Sequence, residues 1–236
     1  MRLTIYIPTF RRPDIKQCLA SIVPQIVEGV EVIVSDNDPD GYAQNIVERF
    51  TNVSYQRRLC NIGGDANILR GVTQGSGEYV WIIGDDDTVL PGTINALLPM
   101  LDGVDRILHW APNSKEINPG FSGSLRDYIL SLNDKSVLTA STLITASVWR
   151  RAGMNIPLGL AKIDTRYPLA WASIKMQTIK VMPNPTITVG HEYTDNYFQY
   201  FPKVIDRYVK ELSNVHGLPT LNYEQVCNWN FASISR

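Results

Sequence analysis

A chain of 236 residues, 44% hydrophobic and 19% charged, has the make-up of an ordinary globular protein and is long enough to bury a core in one large α/β domain. Its net charge of −1, without a long basic run, argues against a phosphate-neutralising face for nucleic acid. No apolar run approaches the ~18 residues that span a bilayer and no signal-peptide core opens the chain, so a cytoplasmic protein is expected, neither exported nor integral to a membrane. Cys18, Cys60 and Cys227 are far apart and lack metal-finger spacing, and they read as reduced, mostly buried thiols.

In chain order, residues 3–7 form an expected strand stopped by Pro8. The turn Thr9-Phe10-Arg11-Arg12-Pro13-Asp14 follows, and then Ile15, Leu19, Ile22 and Val23 recur at helical spacing up to Pro24. Residues 30–34 are a β-branched second strand, ending in the turn cluster Ser35-Asp36-Asn37-Asp38-Pro39-Asp40-Gly41. A short helix is expected over 43–50, a third strand over 53–56, and a helix from the segment 61–65 to about residue 73. The apolar run 79–83 reads as a strand buried on both faces and ends in Asp85-Asp86-Asp87. Strands alternating with helices predict an α/β fold, a Rossmann-like, mostly parallel central sheet with helices on both faces.

The triple aspartate is the chemical focus. Two like charges ~5 Å apart repel by roughly 3 kcal/mol at an effective dielectric of ~20, so a cation is expected there. Hard oxygen donors suit Mg²⁺ or Mn²⁺ and leave coordination positions for substrate phosphates. The alternative is structural: Asp87, ahead of Thr88 and Pro91-Gly92, as a helix N-cap. Asp36 ends another strand, so a nucleotide across that edge would meet Asp36 with its base and the aspartates with its diphosphate. Neither a GxxxxGK[ST] phosphate loop nor a GxGxxG fingerprint is present, which leaves the phosphates to a metal.

The fragments IYIPTFRRPDIKQCLASI, VIVSDNDPDG, NIGGDANILRG and GSGEYVWIIGDDDTVLPG, in that order, resemble the family 2 glycosyltransferases of the GT-A fold, above all the abequosyltransferase-type bacterial sugar transferases. The resemblance is strong over residues 1–101 and weaker to about residue 197. It implies that Pro8, Thr9 and Arg11 line the donor nucleotide pocket, with Asp36 on the base and Asp65 and Asp85 in the same donor-binding set. It also implies that the Asp85 to Asp87 segment is the metal-binding DXD motif. Many members read DxDD, and Gly84 stands at the first of those positions here. The metal ligand is then Asp86 by that alignment, or Asp87 if the triple is itself the DXD.

The second half carries fewer signals. A strand is expected over 107–110, a loop over 111–123, a helix over 125–132, a strand over 139–147 and a short helix over 148–153. The resemblance makes Asp164, ahead of Leu169-Ala170-Trp171, the acceptor-side base, with a helix cap as the plainer reading. His191, after an expected strand over 186–189, would complete the metal shell, or is simply polar surface. Trp110, Trp149, Tyr167 and Trp171 suit sugar stacking or core. Residues 197–212 form an amphipathic helix that packs on the domain or makes peripheral contact with a membrane.

The resulting expectation is a single domain over 1–236, with a nucleotide-sugar and metal half (1–101), an acceptor half (102–194) and a helical tail (195–236). It would be a Mn²⁺- or Mg²⁺-dependent glycosyltransferase, moving a sugar from a nucleoside-diphosphate sugar to a hydroxyl of a glycan, lipid-linked or protein acceptor. Its place would be the cytoplasm or the inner face of the membrane, in surface polysaccharide or glycan synthesis. The rivals are a catalytically idle GT-A domain that binds a glycan or protein, and a sugar nucleotidyltransferase. The latter normally needs a Gly-rich loop after the first strand, and residues 8–13 contain no glycine.

Overall fold

The structure, a computed structural model, describes residues 1–110, 120–124, 127, 147–153, 178–182 and 187–188, with the backbone alone at positions 65, 69 and 187. Strand β1 (Leu3–Thr9) is buried along almost its whole length. Leu3, Ile5 and Ile7 point to one face, where they meet the Ile15, Cys18, Leu19 and Ile22 stripe of α1 (Ile15–Ile22). A 3-10 turn, Val23–Gln25, closes that helix at Pro24. β2 (Val30–Asp36) lies parallel to β1, with Thr9 opposite Asp36 at the carboxyl ends. Val30, Val32 and Val34 of β2 extend the same core.

Helix α2 (Gln44–Val47) is shorter than the 43–50 expected. From Arg49 the backbone bonds tighten to residue i−3, and Asn52 leaves the helical region altogether at φ +63°. β3 (Val53–Arg57) pairs parallel with β2, and α3 (Gly64–Thr73) crosses back over the sheet. β4 (Tyr79–Ile82) then pairs parallel with the other side of β1. The order β3-β2-β1-β4 makes the gap between β1 and β4 a switch point, because α1 and α3 leave it on opposite faces. Tyr6, on the second face of β1, donates to Asn67 of α3.

Beyond β4 the sheet turns mixed. β8 (Ser147–Arg150) pairs antiparallel with β4 and β6 (Ile107–His109), and the order continues β8-β6-β9-β7, with β9 at Thr178–Val181 and β7 at Ser122–Ser124. β6 and β9 are parallel, β9 and β7 antiparallel. Among the described residues the sheet has eight strands and is mostly parallel, as expected, with its antiparallel pairings confined to the part beyond β4. The strand expected over 139–147 lies almost wholly outside the described residues. Residues 148–150, expected as helix, are strand instead: Val148 and Trp149 are fully buried between two partner strands, and that burial favours extended backbone for β-branched and aromatic side chains. Only Arg151–Gly153 form the expected helical turn, of 3-10 type. The helix expected over 125–132 falls outside the described residues apart from Asp127, as does the tail helix.

Two short strands stand apart from the large sheet. β5 (Thr88–Val89) follows the aspartates directly and pairs antiparallel with β10 (Ile187–Thr188). Helix α4 (Thr93–Leu97) starts from Gly92, which is left-handed at φ +80°. Asp87 is thus five residues upstream of the helix cap, and the N-cap reading of Asp87 does not hold. Trp110 and Trp149 are buried, Trp110 edge-on to Trp81 at 4.9 Å, so both are core residues rather than sugar platforms. Cys18 is buried as expected, whereas Cys60 is exposed.

Candidate functional site

Three neighbouring strands end together. β1 delivers Thr9, β2 delivers Asp36, and the chain leaving β4 turns at Asp85 and Asp86. The two acidic ends flank β1, one strand apart, rather than adjoining each other. Pro8 is tolerated in this central strand for a local reason. Tyr6 accepts from the Ile83 N–H on the β4 side, and Pro8, two residues on, faces the same side beyond the end of β4, where no ladder donor is needed.

Thr9 joins the strand ends chemically, its hydroxyl donating to Asp85 Oδ2 at 2.7 Å. Asp85 Oδ1 accepts from Arg12 Nη1 at 3.2 Å, and the same nitrogen lies 2.9 Å from Asp86 Oδ2. Burial pushes the Asp85 carboxyl up to about 6, against the lowering pull of Thr9 and Arg12 and with Asp86 adding to the rise. Asp87 is nearly inaccessible. Its Oδ2 accepts from the Gly84 N–H at 3.1 Å while its own N–H donates to the Gly84 carbonyl. A Cβ at Gly84 would come within 2.8 Å of Asp87 Oδ2 and 2.9 Å of Asp86 Oδ1, so this departure from the DxDD pattern leaves room for the turn. Below it, Cys18 Sγ lies 3.5 Å from the Gly84 carbonyl, and burial first, then the aspartates, raise its thiol well above the usual range.

Asp36 is fully buried. Oδ1 accepts from the Asp38 N–H at 3.0 Å, and Oδ2 accepts from the Ala43 N–H at 2.9 Å and the Tyr55 hydroxyl at 2.8 Å. Three of about four acceptor positions on a carboxylate are therefore used by the protein. Burial and the bond to Asp36 both raise the Tyr55 hydroxyl pKa. Arg11 sits apart from the aspartates after β4. Its φ is +52°, and its guanidinium pairs with Asp38 at 3.1 Å and Asp40 at 3.0 Å, at the β2 rim. The bonds from Arg11 hold the Asp38 carboxyl below its usual value.

The structure thus brings together Pro8, Thr9, Arg11, Asp36, Asp85, Asp86 and Asp87 at one edge. Asp65 lies in the first turn of α3. Asp164 and His191 are outside the described residues. Sequence reasoning missed Arg12 and Tyr55. Arg12 was legible in principle, since consecutive residues around a turn point to different sides, and Tyr55 faces Asp36 from the adjoining strand.

Among the described residues, no three His, Cys, Asp or Glu side chains converge as a self-contained metal site. The donors nevertheless fit a divalent cation shared with a substrate. They are hard carboxylate oxygens, and Asp86, the most accessible of the three, can leave most of the shell to phosphates and water.

The family profile for glycosyl transferase family 2 matches residues 4–131, more than half of the chain. Over 110 residues the chain is 29% identical to abequosyltransferase RfbV of Salmonella typhimurium, covering 43% of this chain and 33% of that protein. It is also 29% identical over 108 residues to the GalNAc(5)-diNAcBac-PP-undecaprenol beta-1,3-glucosyltransferase of Campylobacter jejuni, covering 41% and 33%. Each match spans a third of the relative's length. Among solved structures, S. aureus TarS 1-349 in complex with UDP superposes with a TM-score of 0.68 at 16% identity, covering 100% of this chain and 71% of that one. Mannosyltransferase PcManGT from Pyrobaculum calidifontis, in complex with GDP-Man and Mn²⁺, gives 0.61 at 13% identity, covering 99% and 74%. At such identities these likenesses speak to the fold alone. The chain belongs to glycosyl transferase family 2, a glycosyltransferase by class on the GT-A fold.

Proposed function

We propose that this chain transfers a sugar from a nucleoside-diphosphate sugar to an acceptor hydroxyl, with a divalent cation, Mn²⁺ or Mg²⁺, in surface polysaccharide or glycan synthesis. The observation that carries the reading is the meeting of Thr9, Asp85 and Asp86 at the switch point of the sheet, with Asp36 one strand away on the same edge, where open α/β sheets take their ligands. The donor's base lies toward Asp36 and Arg11, and its diphosphate toward the aspartates. Asp86 is the first choice of metal ligand, because Asp87 is buried in its turn with Gly84. His191 remains a second ligand. Pairing of β10 with β5 brings the chain to within three residues of His191 beside the segment that leaves the aspartates.

When bound, the cation would neutralise charge developing on the leaving diphosphate. Thr9 orients Asp85 through its Oδ2, and Arg11 closes the rim of the base pocket. Asp164 is proposed as the base that takes the acceptor's proton, which makes the transfer inverting. Residues 1–101 would serve the donor, 102–194 the acceptor, and 195–236 a helical tail. A lipid-linked acceptor at the cytoplasmic face of a membrane is favoured, since one relative's name specifies a polyprenol-linked substrate. Among the described residues no helix is long and apolar enough to cross a membrane.

Calorimetric titration with UDP, GDP, CDP and dTDP, each with Mn²⁺ and with EDTA, tests the reading. One nucleotide is expected to bind in Mn²⁺ only, and Asp86→Ala to weaken it at least about tenfold. Binding indifferent to both metal and variant overturns the mechanism and favours the idle domain.

A further inference from the structure

Arg11 and Arg12 are adjacent yet serve opposite sides of β1. Arg11, turned by its positive φ, goes to Asp38 and Asp40 beyond β2. Arg12 goes to the carboxylates beyond β4, and a single nitrogen, Nη1, stands 3.2 Å from Asp85 Oδ1 and 2.9 Å from Asp86 Oδ2. A cation shared by these two carboxylates would need the same oxygens. Two of the other oxygens are engaged as well: Asp85 Oδ2 is bonded to Thr9, and Asp87 Oδ2 to the Gly84 N–H, so Asp85 in particular has no carboxylate oxygen outside these bonds. The Arg12 side chain is about a quarter exposed, so part of it already faces solvent.

We propose that Arg12 is the resident counter-ion of the donor-free site, holding Asp85 and Asp86 until a divalent cation and a diphosphate arrive together. This rests on the metal-dependent reading above. Three carboxylates with one guanidinium carry a net charge of −2 when all are ionised, which attracts a divalent ion, but the ion must first displace the guanidinium. Arg12 leaves readily only if another anion receives it, and a diphosphate is suited to its planar fork. Metal alone and nucleotide alone therefore bind weakly, and each strengthens the other by the same factor. Arg12 acts as a positioning residue that keeps the acidic turn assembled and makes metal uptake conditional on substrate.

The test is Mn²⁺ binding to the full chain without nucleotide, followed by electron paramagnetic resonance. Arg12→Gln is expected to bind Mn²⁺ alone at least about tenfold more tightly than wild type, within the range of ordinary coupling energies. Arg12→Lys, which keeps the charge but loses the fork, should fall between the two, and it carries the test if circular dichroism shows that Arg12→Gln is unfolded. Arg150→Gln removes the same charge at the other end of β4, where Arg150 pairs with Glu78 and Asp105. It should leave the Mn²⁺ affinity within about twofold.

Unchanged or weaker Mn²⁺ binding in both Arg12 variants overturns the proposal, as does equal tightening in Arg150→Gln. A parallel series adds UDP, GDP, CDP or dTDP. If wild type binds Mn²⁺ with none of them while Arg12→Gln binds Mn²⁺ alone, the donor reading falls and the counter-ion role stands. If neither protein binds Mn²⁺ under any condition, both fall.

Discussion

Burial and hydrogen bonding pull Asp85 in opposite directions, and burial wins, setting its carboxyl at about 6. An unfolded aspartate titrates near ~3.9. The folded value is the higher one, so the native state favours the protonated form. Stability from this group is full below about pH 4 and is lost as pH rises through about 6. Asp85→Asn, measured by urea unfolding in EDTA, should match wild type near pH 4 and exceed it by about 2 kcal/mol at pH 8. Equal midpoints at both pH values would mean that Arg12 and Thr9 offset burial completely. At this scale the sequence was legible for the acids and less so for their partners. Asp36 and Asp85 stand out because each ends an apolar run, whereas Arg12 and Tyr55 matter through contacts 73 and 19 residues apart in the chain.

Elements were legible where local periodicity and burial agree. α1 has one apolar stripe and one core to face, so its pattern and its structure coincide. β8 was misplaced because Ser147–Arg150 is too short to display a period, and its extended form comes from the two strands beside it. Helix α3 carries a constraint that periodicity does not show. A Cβ on Gly71 would lie 2.7 Å from Tyr6 Cδ1 and 2.9 Å from Ile82 Cδ1, both buried side chains of the sheet. Glycine lets α3 sit directly on β1 and β4, behind the switch point. Gly71→Ala gains roughly 1 kcal/mol of helix propensity but overpacks the contact by about 1–3 kcal/mol. A net loss of stability is expected in urea titration, and a gain of the full propensity term would show that the helix has room to retreat.

Across the whole molecule, the two ends of the sheet are treated differently. The carboxyl ends of β1, β2 and β4 hold the charged site, while the opposite end is fastened by Arg151, which follows β8. Its Nε donates to the Gly77 carbonyl at 2.9 Å, Nη1 to the carbonyls of Gly71 and Val72, and Nη2 to Thr4 Oγ1 at 3.1 Å. The carbonyls of Gly71 and Val72 belong to the last turn of α3, where a cation meets the negative end of the helix dipole. Thr4 in turn donates to Glu31 Oε1, which also accepts from the Gly77 N–H, so β1, β2, α3 and β8 share one network. Burial pulls the Arg151 pKa down and Glu31 pulls it up, with burial the larger, yet a guanidinium stays charged at neutral pH. Removing it strands several carbonyls at once, so Arg151→Ala should lower unfolding free energy by about 3 kcal/mol. Arg151→Lys, with the charge but without the fork, should lose roughly half as much. Because the network lies at the far end of the strands, Mn²⁺-dependent nucleotide binding by the folded fraction should remain within about twofold of wild type. Paired urea unfolding and calorimetry decide the matter: a large fall in affinity at unchanged stability would mean that β8 communicates with the proposed donor site rather than simply anchoring the sheet that carries it.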